Sequence, residues 1–539
     1  MTTKSYSALK LSILFIVSTC YILLYFKNFW VSDDAYISFR SIEQLFDGNG
    51  PRWNAHERVQ SFTSPLWFWI LSFTRLFNES LYFNVLGIGV IWILAFLGIL
   101  WKITKDPILW ATACLFFLSS QAFFDYTASG LENNFAYFLL ILFVLSFHNL
   151  LKSPALIYGY VYLWVLASLL VLTRHDLSLL VAPMGIYSFF SGIKFIGWRK
   201  SVLLMLLCSS PFWSWSIFSF FYYGSIFPNT AYAKLDTGIA RYDLVVQSLR
   251  YFESSLRYDV ITLPVIFLAT VLGIVKRRNT FLLLLSVAIL SNLLYVVYIG
   301  GDFMRGRFFS FSYVYAVVIL VVLIRDYVSQ IPLYFLALVL LIYLFVYPYT
   351  AVELDPNSGK GTMFDYVTGQ QIGEDPFLQA VVDESSGVFN EKLFYFHLTS
   401  LWNYFDTKTK TNYPIESIAN MFEEFSGPNW REDYFEPDIL VTGSIGFLGY
   451  LAPTEKIIID FYALGDPFLA QLPVRDVKNW RIGHFERAVP EDYINSIRSG
   501  VNQFEDPELR RLYQRTQILT QSEPLLSLER LRVLFFKSN

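Results

Sequence analysis

Over its first 350 positions the chain alternates long apolar runs with short polar connections, the pattern of helices that cross a bilayer repeatedly. The runs fall at residues 9–29, 82–101, 107–123, 133–150, 157–173, 177–192, 201–221, 260–275, 281–299, 308–324 and 331–348, which predicts about eleven transmembrane helices. The connections alternate in charge. Lys102 with Lys105, Lys152, Lys194 with Arg199 and Lys200, Lys276 with Arg277 and Arg278, and Arg325 share one side of the membrane if the first span starts in the cytoplasm. Cytoplasmic loops carry that excess of cations, so the N-terminus is predicted to be cytoplasmic. An odd number of spans then sends everything after Tyr349 to the outer, periplasmic face.

Residues 30–80 are too polar at their start, and too broken by Pro51 and Pro65, to cross the membrane. Phe39, Ile42, Leu45 and Phe46 recur at helical spacing and predict a helix from Asp33 to Phe46, ended by Gly48 and Gly50. The run Pro65-Leu-Trp-Phe-Trp-Ile-Leu is apolar and aromatic but short, which suits the membrane interface. After Ala351 the composition turns polar, with turn clusters at Asp355–Gly359 and Ser426–Asn429. In this tail Asp438–Thr442 reads as a strand, Gly443–Gly449 as a turn into a short helix, and Lys456–Asp460 as a second strand. The division expected from the sequence is a transmembrane domain over 1–349, with 30–80 as juxtamembrane helices, and a soluble α/β or α+β domain over 350–539.

Composition agrees with a polytopic α-helical membrane protein. Of 539 residues 55% are apolar, 19% aromatic and only 16% charged, and the mean hydropathy is +0.44. A soluble domain is nearer a quarter charged, so the surplus apolar surface needs lipid. A net charge of −3 gives no sign of a nucleic-acid partner. Cys20, Cys114 and Cys208 lie inside apolar runs, where cysteines pack rather than form a disulfide framework. The first run follows Lys4 and Lys10 as a signal peptide would, but it is as long as a bilayer is thick and no small-residue cleavage site closes it, so it reads as a retained anchor.

The polar chemistry gathers in the loops predicted to lie outside. Asp33 and Asp34 open a helix at the outer end of a span; acidic residues cap such ends, yet Arg40 seven positions on shares their face. In sugar transfer from a phosphate-linked donor an acceptor hydroxyl loses its proton as it attacks the anomeric carbon, and a positioned carboxylate can accept that proton. The leaving phosphate needs cations or dipoles. Arg174, His175, Lys234, Arg305 and Arg307 sit at outer ends of spans, where a lipid phosphate lies and where lone cations also serve as headgroup anchors. Glu132 opens the fourth span, and Asp302 stands between Gly300-Gly301 and Arg305 as either a site residue or half of an internal salt bridge. Arg40, Asp176 and Asn229 complete the polar set expected to bind the donor phosphate and sugar. No cluster has the spacing of a zinc site, so no cofactor is assigned, and a carboxylate-held divalent cation near Asp33 and Asp34 stays open.

Taken in order, Asp33-Asp-Ala-Tyr-Ile, Gly50-Pro-Arg-Trp-Asn, Glu57–Trp67, Ser129-Gly-Leu-Glu132, Leu172-Thr-Arg-His-Asp176, Tyr223–Thr230, Gly300-Gly-Asp-Phe-Met304, and Gly443–Pro473 with Trp480–Arg487 are spread over nearly the whole chain. This ordered set resembles the GT-C superfamily of membrane glycosyltransferases and, more narrowly, the terminal β-1,2-arabinofuranosyltransferase family. The resemblance implies a GT-C core, a periplasmic C-terminal domain able to bind carbohydrate, and inverting transfer with Asp33 or Asp34 as base. The donor would be a polyprenyl-phosphate-linked arabinofuranose or similar pentose or hexose, and the acceptor a glycan or lipid-linked glycan at a bacterial inner membrane. A transporter or flippase of lipid-linked sugars is the alternative; it predicts charges inside spans and two symmetric halves, and neither is evident in the sequence.

Overall fold

The computed structural model describes residues 3–235, 237–347, 382–383, 386–401, 419, 423, 430–436, 438–443 and 445–536. The turn clusters expected at 355–359 and 426–429 lie outside the described residues. The chain forms two compact units, each assembled from separate stretches of sequence: Met1–Ser32, Tyr82–Pro211 and Arg241–Pro414 in one, Asp33–Leu81, Phe212–Ala240 and Ile415–Asn539 in the other. This grouping differs from the linear division at residue 349, because the core shared by residues 33–81 and the tail is not visible as a periodicity.

The first unit is helical and apolar. Among the described residues six helices are long and apolar enough to cross a membrane, or up to nine if each of three bent helix pairs is one span; Ile157–Thr173 and Gln330–Val346 are shorter apolar helices. All eleven apolar runs of the sequence fall on these elements. The helix Arg307–Tyr327 is the most enclosed of them, and its central stretch from Tyr313 to Leu323 is apolar or aromatic and buried all round. Two of the bends share one cause. Between the helices Arg241–Tyr258 and Thr262–Val275, bent by 106°, Asp259 Oδ1 accepts the backbone N–H of Thr262 at 3.1 Å. Its Oδ2 accepts the N–H of Ala122 at 2.9 Å, in the first turn of Gln121–Thr127, which is bent by 86° from Pro107–Ser119. One buried carboxylate therefore satisfies the orphan N–H groups that two helix breaks expose.

A strap runs along the same unit. Phe389 donates its N–H to Phe303 O at 2.7 Å and accepts from Arg305 N–H at 2.8 Å. The helix Glu391–Thr399 follows, with Asn390 as its cap. This strap holds the loop Gly300–Gly306 by backbone pairing.

The second unit is built around tryptophan and glycine. Strands Ile439–Thr442 and Ile457–Asp460 pair in parallel, Ile439 opposite Ile457, and the helix Phe447–Leu451 lies between them in sequence, which is the β-α-β unit the sequence predicts. Trp53 is fully buried with Ile37, Leu440, Ile445, Leu448 and Ile458. A Cβ at Gly449 would stand 2.5 Å from the Trp53 ring and one at Gly465 2.9 Å, so the indole slot exists only because those positions are glycine. The helix Asp33–Phe46 buries Ile37 and Phe39 in this unit instead of lying open on a surface. The helix Pro65–Arg75 keeps Trp69 and Phe73 exposed, the amphipathic pattern of an interfacial helix.

Candidate active site

The predicted site residues divide between the units. In the second, Asp33 and Asp34 begin the helix Asp33–Phe46 and are half-buried. Asp33 Oδ1 accepts the backbone N–H of Phe447 at 2.7 Å. A Cβ at Gly446 would come within 2.4 Å of that carboxylate oxygen, so glycine lets the Gly446–Phe447 backbone close on it. Burial pushes the Asp33 carboxyl up to about 7; the N–H groups of Phe447 and Gly446 oppose the rise and Asp34 adds to it. A carboxyl poised there takes and returns protons near neutral pH.

Arg40, expected to face a donor phosphate, is committed elsewhere. Its Nη1 donates to Gly449 O at 2.6 Å and Ala452 O at 3.1 Å, its Nη2 to Lys456 O at 3.0 Å, and its Nε to Trp53 O at 3.3 Å. The guanidinium fills its fixed fork with carbonyls and clamps the first helix of the unit to the tail, which corrects its reading as an anion ligand. Asn229 is corrected likewise: its Nδ2 donates to Ala463 O at 2.8 Å and Asp466 O at 3.0 Å. Lys234 is half-buried in the last turn of Asn229–Leu235. With Arg481 it adds to the burial that keeps His484 neutral.

In the first unit the structure gathers Glu132, Arg174, Asp176 and Arg307 into one ion-pair network. Arg174 Nη1 meets Glu132 Oε1 at 2.8 Å. Its Nε and Nη2 grip both oxygens of Asp176 at 2.9 and 3.0 Å, the bidentate geometry of the stronger ion pairs. Arg307 Nη2 reaches Glu132 Oε1 at 3.4 Å. Burial alone would raise the Glu132 carboxyl, but Arg174 and Arg307 outweigh it and hold it below the usual range. Arg305 stacks over the Tyr258 ring at 4.1 Å and donates from Nε to Ser254 Oγ at 3.0 Å. Asp302 Oδ1 accepts the N–H of Phe303 at 2.9 Å, and His175 begins a single 3-10 turn, His175–Leu177.

Sequence reasoning missed the charges of the strap. Lys392 Nζ donates to Asp125 Oδ1 and Asn28 Oδ1, both at 2.7 Å, and Ser32 Oγ donates to Glu391 Oε2 at 3.0 Å. Burial draws the Lys392 ammonium below its ordinary value against the pull of Asp125. The one available signal was Asp125, an acid two positions past the end of an apolar run. Glu57 and Asp466 were missed as well: both are buried in the second unit and each is raised to about 7 by that burial, with Glu57 adding to the rise of Asp466. Among the described residues no three His, Cys, Asp or Glu side chains stand close enough together to hold a metal ion.

Fold and composition define a polytopic helical membrane protein with charge networks at helix ends. No protein-family model matches the chain. It is 25% identical over 319 residues, 52% of its own length and 50% of the relative's, to the terminal beta-(1->2)-arabinofuranosyltransferase of Mycobacterium tuberculosis. It is 26% identical over 322 residues, 52% of its length and 46% of the relative's, to the enzyme of that name in Corynebacterium glutamicum. The chain thus spans about half the length of the curated relatives it matches. The resemblance read from the motifs names the same family. Among solved structures, ArnT from Cupriavidus metallidurans bound to undecaprenyl phosphate is 12% identical, with a TM-score of 0.44 over 85% of this chain and 90% of that one. That score is too low to establish a shared fold.

Proposed function

We propose that the chain is an inverting glycosyltransferase that moves arabinofuranose, or a similar pentose or hexose, from a polyprenyl-phosphate donor to a cell-envelope glycan at the outer face of a bacterial inner membrane. The observation that carries this reading is the Asp33 carboxylate at the start of its helix, held by the Phe447 N–H at 2.7 Å. The names of the two similar proteins support the reaction class. In the proposed reaction the acceptor hydroxyl attacks the anomeric carbon and gives its proton to Asp33. The bond from that carbon to the phosphate oxygen breaks, and its electron pair leaves on the polyprenyl phosphate. A single displacement of this kind inverts the anomeric centre. Asp34 raises the basicity of its neighbour.

Arg305 and Arg307 are the residues assigned to the leaving phosphate, where cations offset developing charge in a dry site. Arg174, balanced by Glu132 and Asp176, acts as a positioning residue for Arg307 through Glu132. His175, Lys234 and Asp302 are assigned to the sugar and its polar surroundings. The full chain in proteoliposomes, given polyprenyl-phosphoryl pentoses and hexoses and an oligosaccharide acceptor, is predicted to extend the acceptor by one sugar. The new linkage should show the anomeric configuration opposite to the donor by NMR. Donor that merely crosses the bilayer, with no acceptor extended, would instead mark a flippase.

A further inference from the structure

We propose that the chain carries an anionic phospholipid site at the end of its first unit opposite the loop Gly300–Arg307. A pocket of about 940 Å³ opens there, lined by Lys276, Arg277, Arg278 and Asn279 with Tyr187 and Tyr327 at its sides. Its volume lies within the range that accommodates small-molecule ligands. The three cations fall in the turn between the helices Thr262–Val275 and Thr280–Ile299. Asn279 fixes that turn by accepting the N–H groups of Phe281 and Leu282 on its side-chain oxygen. Lys276 Nζ sits 4.0 Å from the centroid of the Tyr327 ring, which orients the ammonium without neutralising it. The acid in the lining, Asp326, is taken up by Arg325 at 3.0 Å. Among the described residues no salt bridge involves Lys276, Arg277 or Arg278, so the pocket keeps a positive surplus.

This pocket is not the candidate active site. The helix Thr280–Ile299 starts at the pocket and ends at the loop that bears Asp302, Arg305 and Arg307; its 20 residues span roughly 30 Å, about one bilayer core. The ligand is an amphiphile because of what leads to the cations. Leu268, Val271 and Val275, exposed by 53%, 57% and 68%, are spaced three and four apart on one face of their helix and stop at Lys276. An acyl chain fits that ladder while a phosphate enters the pocket above it, which is how basic pockets at the ends of transmembrane helices select anionic headgroups. The inference does not depend on the transferase reading.

The test is thermal unfolding of the purified full chain in mixed micelles of phosphatidylglycerol or phosphatidylcholine, with inorganic phosphate alone as a separate arm. Wild-type protein should be stabilised saturably by phosphatidylglycerol and by neither of the others. The variant Lys276→Gln/Arg277→Gln/Arg278→Gln should need on the order of tenfold more phosphatidylglycerol or more, given the worth of each cation near an anionic surface. Lys194→Gln/Arg199→Gln/Lys200→Gln, which loses the same charge at another turn, should respond as wild type. Should the triple variant of the pocket not fold, Arg277→Gln alone should show a partial loss by native mass spectrometry of retained lipid. Equal response of both triple variants, undiminished lipid retention in Arg277→Gln, or saturation by free phosphate alone would overturn the proposal.

Discussion

At the scale of single residues, the two charge systems differ in how far they are neutralised. Glu132 is held between Arg174 and Arg307 at 2.8 and 3.4 Å, so removing its charge takes a shared counter-charge from two buried guanidinium groups. Glu132→Gln should therefore cut transfer about tenfold or more, with the larger part in the KM for donor, because the cations that meet the phosphate lose their positioning. Steady-state kinetics with varied donor separates the two constants. The buried carboxyls of the second unit behave oppositely to Glu132. Asp460 is raised to about 7 by burial, against the N–H groups of Tyr462, Gly465 and Leu464. The folded protein then binds more protons than the unfolded chain between the unfolded value near 4 and about 7, so stability falls as pH rises through that window. The apparent melting temperature should be higher at pH 5.5 than at pH 8, and Asp460→Asn should flatten the slope, as scanning fluorimetry across pH can show.

Among secondary elements, the informative contacts are made between segments far apart in sequence. Arg40 joins the helix Asp33–Phe46 to carbonyls more than 400 positions later, at Gly449, Ala452 and Lys456. An ammonium cannot reproduce that fork. Arg40→Ala should lower unfolding free energy by about 3 kcal/mol, and Arg40→Lys should restore less than half of it, as denaturant titration of tail fluorescence would report. This is also where reading the sequence stops being sufficient. The helix Asp33–Phe46 and the strands Ile439–Thr442 and Ile457–Asp460 were legible because periodicity and β-branched runs are local properties. That Arg40 would turn to carbonyls instead of an anion was not, because the pattern of a helix face does not say what covers it. The glycines at 446 and 449 were visible, but their reason lies in Asp33 and Trp53. The strap charges Glu391 and Lys392 looked like any polar helix start, and only tertiary structure shows them buried against Ser32, Asn28 and Asp125.

For the molecule as a whole, the alternation of apolar runs and polar connections was legible as a polytopic helical membrane protein. Each apolar run falls on a described helix or bent pair, and the bends themselves were not legible: the Asp259 carboxylate serves N–H groups at two helix starts, one of them at residue 122 within the run 107–123. Charge bias further predicts sidedness. In a cysteine-free background a thiol-reactive, membrane-impermeant label applied to spheroplasts should modify Arg241→Cys directly and Lys152→Cys only after permeabilisation. The reverse pattern would invert the topology. The account's central claim is that Asp33 is the base of a sugar transfer, and its direct measurement is the pH dependence of transfer by wild type, Asp33→Asn and Asp34→Asn in proteoliposomes. With the carboxyl at about 7, wild-type kcat/KM should fall about tenfold per pH unit below that value. Asp33→Asn should lose roughly a hundredfold or more, and Asp34→Asn should stay active with its profile shifted to lower pH. Full activity of Asp33→Asn with an unchanged profile would contradict the account.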